Sequence, residues 1–275
     1  MNTEPAIVVA ALWLLFAGTH IALALRRPRA LLVGRLGEGG FIALFSVVAA
    51  VSFAALVGYY ATHRFAGAPG LGLGSVAAVR WLCMATIASG VALITAGLIA
   101  YPRMPMALFD QSIKHPRGIE RITRHPFFVG MALFAVPHVL LATRLVGAVF
   151  ALGFAALAIA GARHQDAKLL ARRGPAYAGY LAATSTLPMA AILAGRQHLA
   201  WRELPLAGLA VGLGLAVALR LNHAALFAHG GLYVVLAVVG GAALASWQTW
   251  RRAQRHTPRR ASSSLQPPTL GSKHH

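Results

Sequence analysis

The chain has 275 residues, of which 58% are hydrophobic and 11% are charged, and its mean hydropathy is +0.66. A soluble domain carries about 25% charged residues, so this composition excludes that class and indicates an integral membrane protein. The net charge of +19 does not indicate nucleic acid as a partner, because the basic residues lie between apolar runs rather than on one face. Long apolar runs without strand-like alternation predict an all-α, polytopic transmembrane helical bundle in a lipid bilayer.

The apolar runs divide into seven candidate spans, each approaching the roughly 20 residues that cross a bilayer as a helix. In the sixth span, Gly208 and Gly212 form a small-xxx-small pair, which is typical of a helix-packing face. The spans cover residues 4–25, 41–61, 79–101, 126–142, 145–163, 205–222 and 230–249.

Lysine and arginine concentrate in alternate connections between these spans. Residues 26–40, 102–125, 163–204 and the tail after residue 250 together hold most of the 25 basic residues. Cytoplasmic loops of membrane proteins carry such an excess, so we expect the N-terminus outside and the C-terminus in the cytoplasm. Six spans instead of seven would break this segregation.

Acidic residues are confined to loops and to the ends of spans, which argues against an ion pump driven by a carboxylate within the membrane. We expect residues 1–250 to form one transmembrane domain and residues 251–275 to form a polar, disordered cytoplasmic tail. The tail ends in Gly-Ser-Lys-His-His, which is typical of an added tag, so we assign no function to its histidines. The acidic residues are Glu4, Glu38, Asp110, Glu120, Asp166 and Glu203.

The most informative stretch is 121–138, which begins as a basic loop and becomes an apolar helix at Pro126. Proline suits the first turn of a helix, where its missing N–H costs nothing. Arg121, Arg124 and His125 therefore lie at the mouth of a helix, where they attract a phosphate, a propionate or a substrate carboxylate. The alternative is a basic anchor at the lipid headgroups.

Two histidines lie within apolar spans, His20 in the first and His138 in the fourth. An intramembrane histidine is either a hydrogen-bonded packing residue, a proton relay, or a ligand of a metal or a haem iron. Two such histidines on different helices favour haem b, which needs two axial ligands and an apolar slot. His223 and His229, at the outer end of span six, are either boundary residues or ligands, and we favour boundary residues.

Residues 163–177 continue from the fifth span as a helix that we expect to end at Gly174. His164 and Lys168 lie one turn apart in this helix, with Asp166 beside them. The favoured interpretation is an amphipathic helix that binds anionic lipid headgroups.

Several patches resemble the NnrU family, which includes the plant 15-cis-zeta-carotene isomerase. The most specific patch is Arg-Ile-Thr-Arg-His-Pro at 121–126, with a further histidine thirteen residues after its own. The resemblance implies an NnrU-like transmembrane domain over residues 1–250, in a bacterial inner membrane. The patches are residues 18–20, 35–41, 117–126, 130–138, 164–174 and 223–227.

This resemblance implies a haem b held by two histidines, and the matching positions are His20 and His138. Arg121, Arg124 and His125 would then hold the propionates or another acidic group. The implied role is redox-linked. It is either associated with nitrite and nitric oxide reduction, alongside respiratory or nitrite-reduction proteins, or it is isomerisation of a polyene double bond in a small or lipophilic substrate.

Helix geometry constrains this ligand pair. His138 lies about 20 Å along its span from the inner end, whereas His20 lies roughly 9 Å from the inner end of the first span. Both imidazoles reach one iron only if the helices are tilted or staggered by roughly 10 Å. Otherwise His125 or His164 is the better partner for His20, and His223 for His138.

Two other hypotheses stay open. A weaker likeness runs to membrane methyltransferases of the isoprenylcysteine type, although Gln165-Asp166 stands where that family has paired glutamates. This alternative implies S-adenosylmethionine as the cofactor. The last hypothesis is a non-enzymatic membrane assembly factor whose histidines only pack. The methyltransferase hypothesis assigns the cofactor to Arg124, His125, Asp166, Arg172, Arg173, Tyr177 and Tyr180.

Overall fold

A computed structural model describes residues 4–107 and 113–256, which form helices joined by connections without any strand. Four of these helices are long and apolar enough to cross a membrane, and three shorter apolar helices accompany them. They correspond one to one with the seven candidate spans. The prediction of an all-α, polytopic membrane protein is confirmed. Asp110 and the tail beyond His256 lie outside the described residues.

Ten α-helices, numbered in chain order, make up the described part of the chain. Short 3-10 turns at Leu73–Ser75, Tyr101–Arg103, Trp201–Glu203 and Ala228–Gly231 connect some of them. The helices are α1 Glu4–Ala24, α2 Arg26–His63, α3 Ala77–Ala100, α4 Ile119–Ile122, α5 Pro126–Leu141, α6 Leu145–Arg173, α7 Pro175–Ala183, α8 Ala190–Leu193, α9 Leu206–Leu221 and α10 Leu232–His256.

The expectation of a loop over residues 26–40 is wrong, because α2 begins at Arg26 and only Leu25 separates it from α1. The helix is interrupted at Gly37, where φ is +71°. That backbone conformation suits glycine, which has no Cβ to clash with the following carbonyl. At the other end of the chain, α10 continues to His256 and so crosses the boundary expected at residue 250.

The bundle follows the order α9, α3, α5, α6, α1, α2 and α10, each helix packed against the next. Helices α3 and α5 cross at Gly90 and Gly130, so closely that a Cβ added at Gly90 would lie 2.7 Å from the Gly130 carbonyl oxygen. Helix α9 approaches α3 in the same way, because a Cβ at Gly212 would lie 2.6 Å from the Cα of Ala92. The packing face predicted for Gly208 and Gly212 is therefore confirmed.

The apolar core lies between α1, α2 and α6, and Trp13 is at its centre. The indole Nε1 of Trp13 donates a hydrogen bond to the carbonyl oxygen of Phe150 at 3.1 Å. Gly153 leaves room for the indole, since a Cβ there would lie 2.1 Å from the ring. Phe53 and Leu56 of α2 pack on the same cluster.

Connections predicted to face the same side of the membrane lie together. The backbone N–H of Gly70 donates to the carbonyl of Thr143 at 3.0 Å, and the Arg64 guanidinium reaches the carbonyl of Phe227 at 3.5 Å. At the opposite end, the connections before α5 and before α9 meet in the same way. This latter end, predicted to be cytoplasmic, is called the inner end below. The number of spans and their orientation stay predictions.

Candidate functional site

A polar network lies at the inner end, where α5 begins beside α6, and Asp166 is its centre. One carboxylate oxygen, Oδ2, accepts hydrogen bonds from Arg124 Nε at 3.0 Å and Nη2 at 2.9 Å. The other, Oδ1, accepts from His125 Nε2 at 2.8 Å and from the Tyr177 hydroxyl at 2.7 Å. Four donors satisfy the carboxylate, and the Arg124 charge offsets its own.

His125 is oriented by this contact and leaves one nitrogen unused. Its side chain is 0% exposed. Because the carboxylate of Asp166 only accepts, Nε2 carries the hydrogen, and in the neutral tautomer Nδ1 then holds a lone pair. That Nδ1 is buried without a hydrogen-bond partner.

A cavity of about 220 Å³ lies beside this imidazole, between the end of α3 and the start of α5. His125 and Gln165 contribute polar atoms to its lining, and the Gln165 Oε1 is also buried without a partner. Most of the remaining wall is apolar or aromatic. It includes Leu98, Met104, Met106, Phe127 and Phe128.

Two tyrosines of α7 donate hydrogen bonds to carboxylates of this region. Gly174 ends α6 as predicted, with φ at +52°, and the chain turns directly into α7. Tyr177 is fully buried, and its ring stacks on that of Tyr180 with centroids 5.6 Å apart. The Tyr180 hydroxyl donates to Glu120 Oε1 at 2.9 Å. Burial raises the pKa of both phenols, and the carboxylate that each one faces raises it further, so both remain hydrogen-bond donors.

Arg121 is bound within the protein as well. Its Nε donates to Glu203 Oε2 at 3.0 Å, and its Nη1 donates to Gln197 Oε1 at 3.0 Å. The hydrogen bond from Arg121 lowers the pKa of Glu203, and the backbone N–H of Gly118 lowers it further. Both arginines expected to hold a cofactor's acidic group therefore contact carboxylates of the chain itself.

His138, near the outer end of α5, is held by a hydrogen bond to its own helix. Its Nδ1 donates to the carbonyl oxygen of Phe134 at 2.7 Å, which leaves Nε2 available. Metal-binding histidines commonly fix their tautomer through such a backbone contact. The ring of His223 lies 6.4 Å away, tilted by only 14°. His223 was expected to be a boundary residue, and the structure makes it the ring neighbour of His138.

His20 lies elsewhere, between α1 and α2. Its ring contacts Phe45 at 4.7 Å and Phe16 at 5.7 Å. Its Nδ1 is buried and has no hydrogen-bond partner. This imidazole is therefore an apolar-packed residue with one polar atom unsatisfied.

His20 and His138, which were predicted to share one iron, can be compared in depth because α1 and α5 both pack against α6. Gly153 lies against Trp13 of α1, and Gly161 lies against Phe128 of α5. His20 lies seven residues closer to the inner end than Trp13 does. His138 lies ten residues closer to the outer end than Phe128 does. At 1.5 Å per residue, their depths differ by about 14 Å. The two histidines therefore lie at different depths along α6, and the ring of His223 is a neighbour of the His138 ring.

The residues assigned to a methyltransferase cofactor partly converge. Arg124, His125, Asp166 and Tyr177 form one network, but their polar groups satisfy one another apart from the Nδ1 of the histidine. The sequence interpretation missed Gln165 as part of the cavity. It also missed the pairing of Arg121 with an acid more than eighty residues away, although so few acids next to so many arginines signal such pairing.

Fold and site together define a polytopic α-helical membrane protein with a histidine-containing polar network at one end of its helices. A family model described as NnrU protein matches residues 8–255, and the chain belongs to the NnrU family. The resemblance derived from the sequence is thereby confirmed.

Two curated relatives carry the name 15-cis-zeta-carotene isomerase, chloroplastic. The Arabidopsis thaliana protein is 31% identical over 207 residues, which are 72% of this chain and 54% of that protein. The Zea mays protein is 27% identical over 195 residues, which are 70% of this chain and 52% of that protein. The chain thus spans about half the length of the curated relatives it matches. No solved structure matches it significantly.

Proposed function

We propose that the protein is a membrane isomerase that changes the cis–trans geometry of a double bond in a lipophilic polyene. The observation that carries this proposal is the likeness to two proteins named as zeta-carotene isomerases, over 70% and 72% of this chain. The fold supports it, because apolar helices with exposed outer faces give a hydrocarbon substrate access from the bilayer. We place the protein in a bacterial inner membrane.

The test is a direct assay of double-bond geometry. The purified full chain is reconstituted in liposomes that contain 15-cis-zeta-carotene, and the isomers are separated by chromatography over time. We expect the 15-cis isomer to decrease faster than in protein-free liposomes. The proposal would be contradicted if the 15-cis isomer decreased equally fast with and without protein, in the dark and under both oxidising and reducing conditions.

We further propose haem b as the cofactor, with His138 as an axial ligand. The carbonyl contact of its Nδ1 supports this role, and the nearby ring makes His223 the favoured second ligand. Bound there, the haem would supply a redox-active iron. His20 stays the alternative second ligand implied by the family resemblance.

Absorption spectra of His20→Ala, His138→Ala and His223→Ala, expressed with haem supplied in excess, separate these ligand sets. We expect the Soret band to be lost or shifted in His138→Ala and His223→Ala and to be retained in His20→Ala. Loss in His20→Ala and His138→Ala alone would restore the pair implied by the resemblance. Absence of a Soret band from the wild-type protein would remove haem from the proposal.

The association with nitrite and nitric oxide reduction remains the alternative function for this haem protein. Reduction of either molecule by the reconstituted protein with an added electron donor, without isomerisation, would favour it. Respiratory partner proteins would then supply the electrons in the cell. Saturable binding of S-adenosylmethionine to haem-free protein would favour the methyltransferase hypothesis instead. A His20→Ala/His138→Ala double variant that supports cellular function as well as the wild type would favour a non-enzymatic assembly factor.

A further inference from the structure

Two polar atoms without partners in the described part of the protein belong to the lining of one cavity. They are Nδ1 of His125 and Oε1 of Gln165. A buried acceptor without a donor is costly, because it has lost its hydrogen bonds to water. Two such atoms beside the same cavity indicate a ligand that completes them.

The chemistry of the cavity selects a neutral donor. Arg124 offsets the charge of Asp166, and in the neutral tautomer the imidazole presents a lone pair rather than an N–H toward the free side. That tautomer offers an anion no N–H donor. The described residues contain no group of three or more histidine, cysteine, aspartate or glutamate side chains that could hold a metal ion.

A hydroxyl group matches both unpartnered atoms. Its hydrogen is donated to Nδ1 of His125, and its oxygen accepts from Gln165 once the amide is turned to present its NH₂. The two orientations of an amide are equivalent in shape, so the turn leaves the outline of the side chain unchanged. A single alcohol thus satisfies both side chains, which an ether or a hydrocarbon does not.

The walls and size of the cavity define the rest of the ligand. Phe127, Phe128 and Leu98 make its surface largely apolar. Its volume of about 220 Å³ is below the roughly 300–1,000 Å³ of sites that enclose a whole small molecule. It therefore takes one end of a longer molecule. The cavity lies where membrane helices end, so this molecule enters from the bilayer.

We propose that this cavity binds the hydroxyl end of a long-chain, membrane-soluble alcohol through His125 and Gln165. The site lies at the inner end of α5, whereas His138 lies near the outer end of the same helix. The proposal does not depend on the isomerase activity or on haem, and it is tested by binding alone.

The test compares two probes with the same number of heavy atoms, 1-dodecanol and undecyl methyl ether, on the full chain in lipid nanodiscs. Radiolabelled probe retained above empty nanodiscs gives the affinity. We expect saturable binding of dodecanol and about tenfold weaker binding of the ether, which has no hydrogen to donate. Equal affinities, or no saturable binding of dodecanol, would overturn the proposal.

Variants assign the effect to the two side chains. Gln165→Leu should weaken the binding of both probes about fivefold, since the oxygen of either probe accepts a hydrogen bond from the Gln165 amide. His125→Phe should abolish the preference for the alcohol. The matched control is His164→Phe, the same substitution one residue from Gln165 at an exposed position, and it should retain the preference. Unchanged affinities of both probes in Gln165→Leu would contradict the assignment even if His125→Phe does not fold.

Discussion

Asp166 accepts hydrogen bonds from three other side chains. Its negative charge therefore contributes more to the stability of the fold than its size does. The change Asp166→Asn keeps the shape but leaves the Arg124 guanidinium, which is 15% exposed, without a counter-charge. It also turns an amide NH₂ toward the donors of the network. We expect the free energy of unfolding to fall by about 2–4 kcal/mol, measured by thermal or denaturant unfolding in detergent.

The matched control is Glu38→Gln, which removes the carboxylate of an exposed ion pair with Arg29. Side chains in that pair are 42% and 57% exposed, so water replaces the lost contact. We expect a change of about 0–1 kcal/mol. Similar losses in both variants would show that the Asp166 network does not stabilise the fold more than an exposed pair does.

Glu203 makes the stability depend on pH in a defined direction. The hydrogen bond from Arg121 holds its pKa below the ordinary value of 4.5. Folding therefore favours the carboxylate, so the stabilisation is present above pH 4.5 and is lost as pH falls through the lowered folded-state pKa. We expect unfolding temperatures, measured from about pH 6 to about pH 3, to decline less steeply in Glu203→Gln than in wild type. Identical slopes would contradict this origin.

The sequence predicts the position of the polar residues at the start of α5 but not their partners. Proline at 126 fixes where α5 begins, so the sequence places Arg124 and His125 at that end. The sequence does not say which acid pairs with them, because Asp166 comes from α6 and Glu203 from the connection before α9. Such contacts depend on the order of helices in the bundle, which no local pattern encodes.

Glycine governs the close contact between α3 and α5. A Cβ at Gly90 would lie 2.7 Å from both the Gly130 oxygen and the Phe134 nitrogen, which are backbone atoms that cannot turn aside. We expect Gly90→Ala to separate α3 from α5 and to lower the free energy of unfolding by about 1–3 kcal/mol. Gly214→Ala in α9 is the control, because a Cβ there meets no atom within 4 Å. An equal loss in both would contradict the packing explanation.

Element boundaries follow hydropathy where the helices are apolar, and they fail where charge interrupts the pattern. The apolar helix α9, Leu206–Leu221, matches the predicted span 205–222 to within one residue at each end. The start of α2 was missed because its four arginines resemble a loop. Arginine, leucine and alanine are all good helix formers, so local propensity favoured a helix there. Gly37 then provides the break that hydropathy alone suggested.

At the scale of the whole molecule, the relative depth of side chains on non-neighbouring helices was the quantity that the sequence could not supply. His20 and His138 each fit an intramembrane ligand by local pattern. Their separation depends on how α1 and α5 are each packed against α6, through Gly153 and Gly161. The family resemblance therefore proposes the ligands, and only the packing register determines which of them can meet.

The whole-molecule arrangement predicts which connections face the cytoplasm, and single cysteines can test it. In a background with Cys83 replaced by alanine, Ser75→Cys marks the outer end and Ala194→Cys marks the inner end, both at exposed positions. Basic residues are retained on the cytoplasmic side during insertion. We therefore expect a membrane-impermeant thiol reagent to label Ser75→Cys in bacterial cells whose outer membrane is permeable to it, and Ala194→Cys only after the inner membrane is opened. The reverse pattern would show the opposite orientation in the membrane. Labelling of both positions in unopened cells would contradict an odd number of spans between residues 75 and 194.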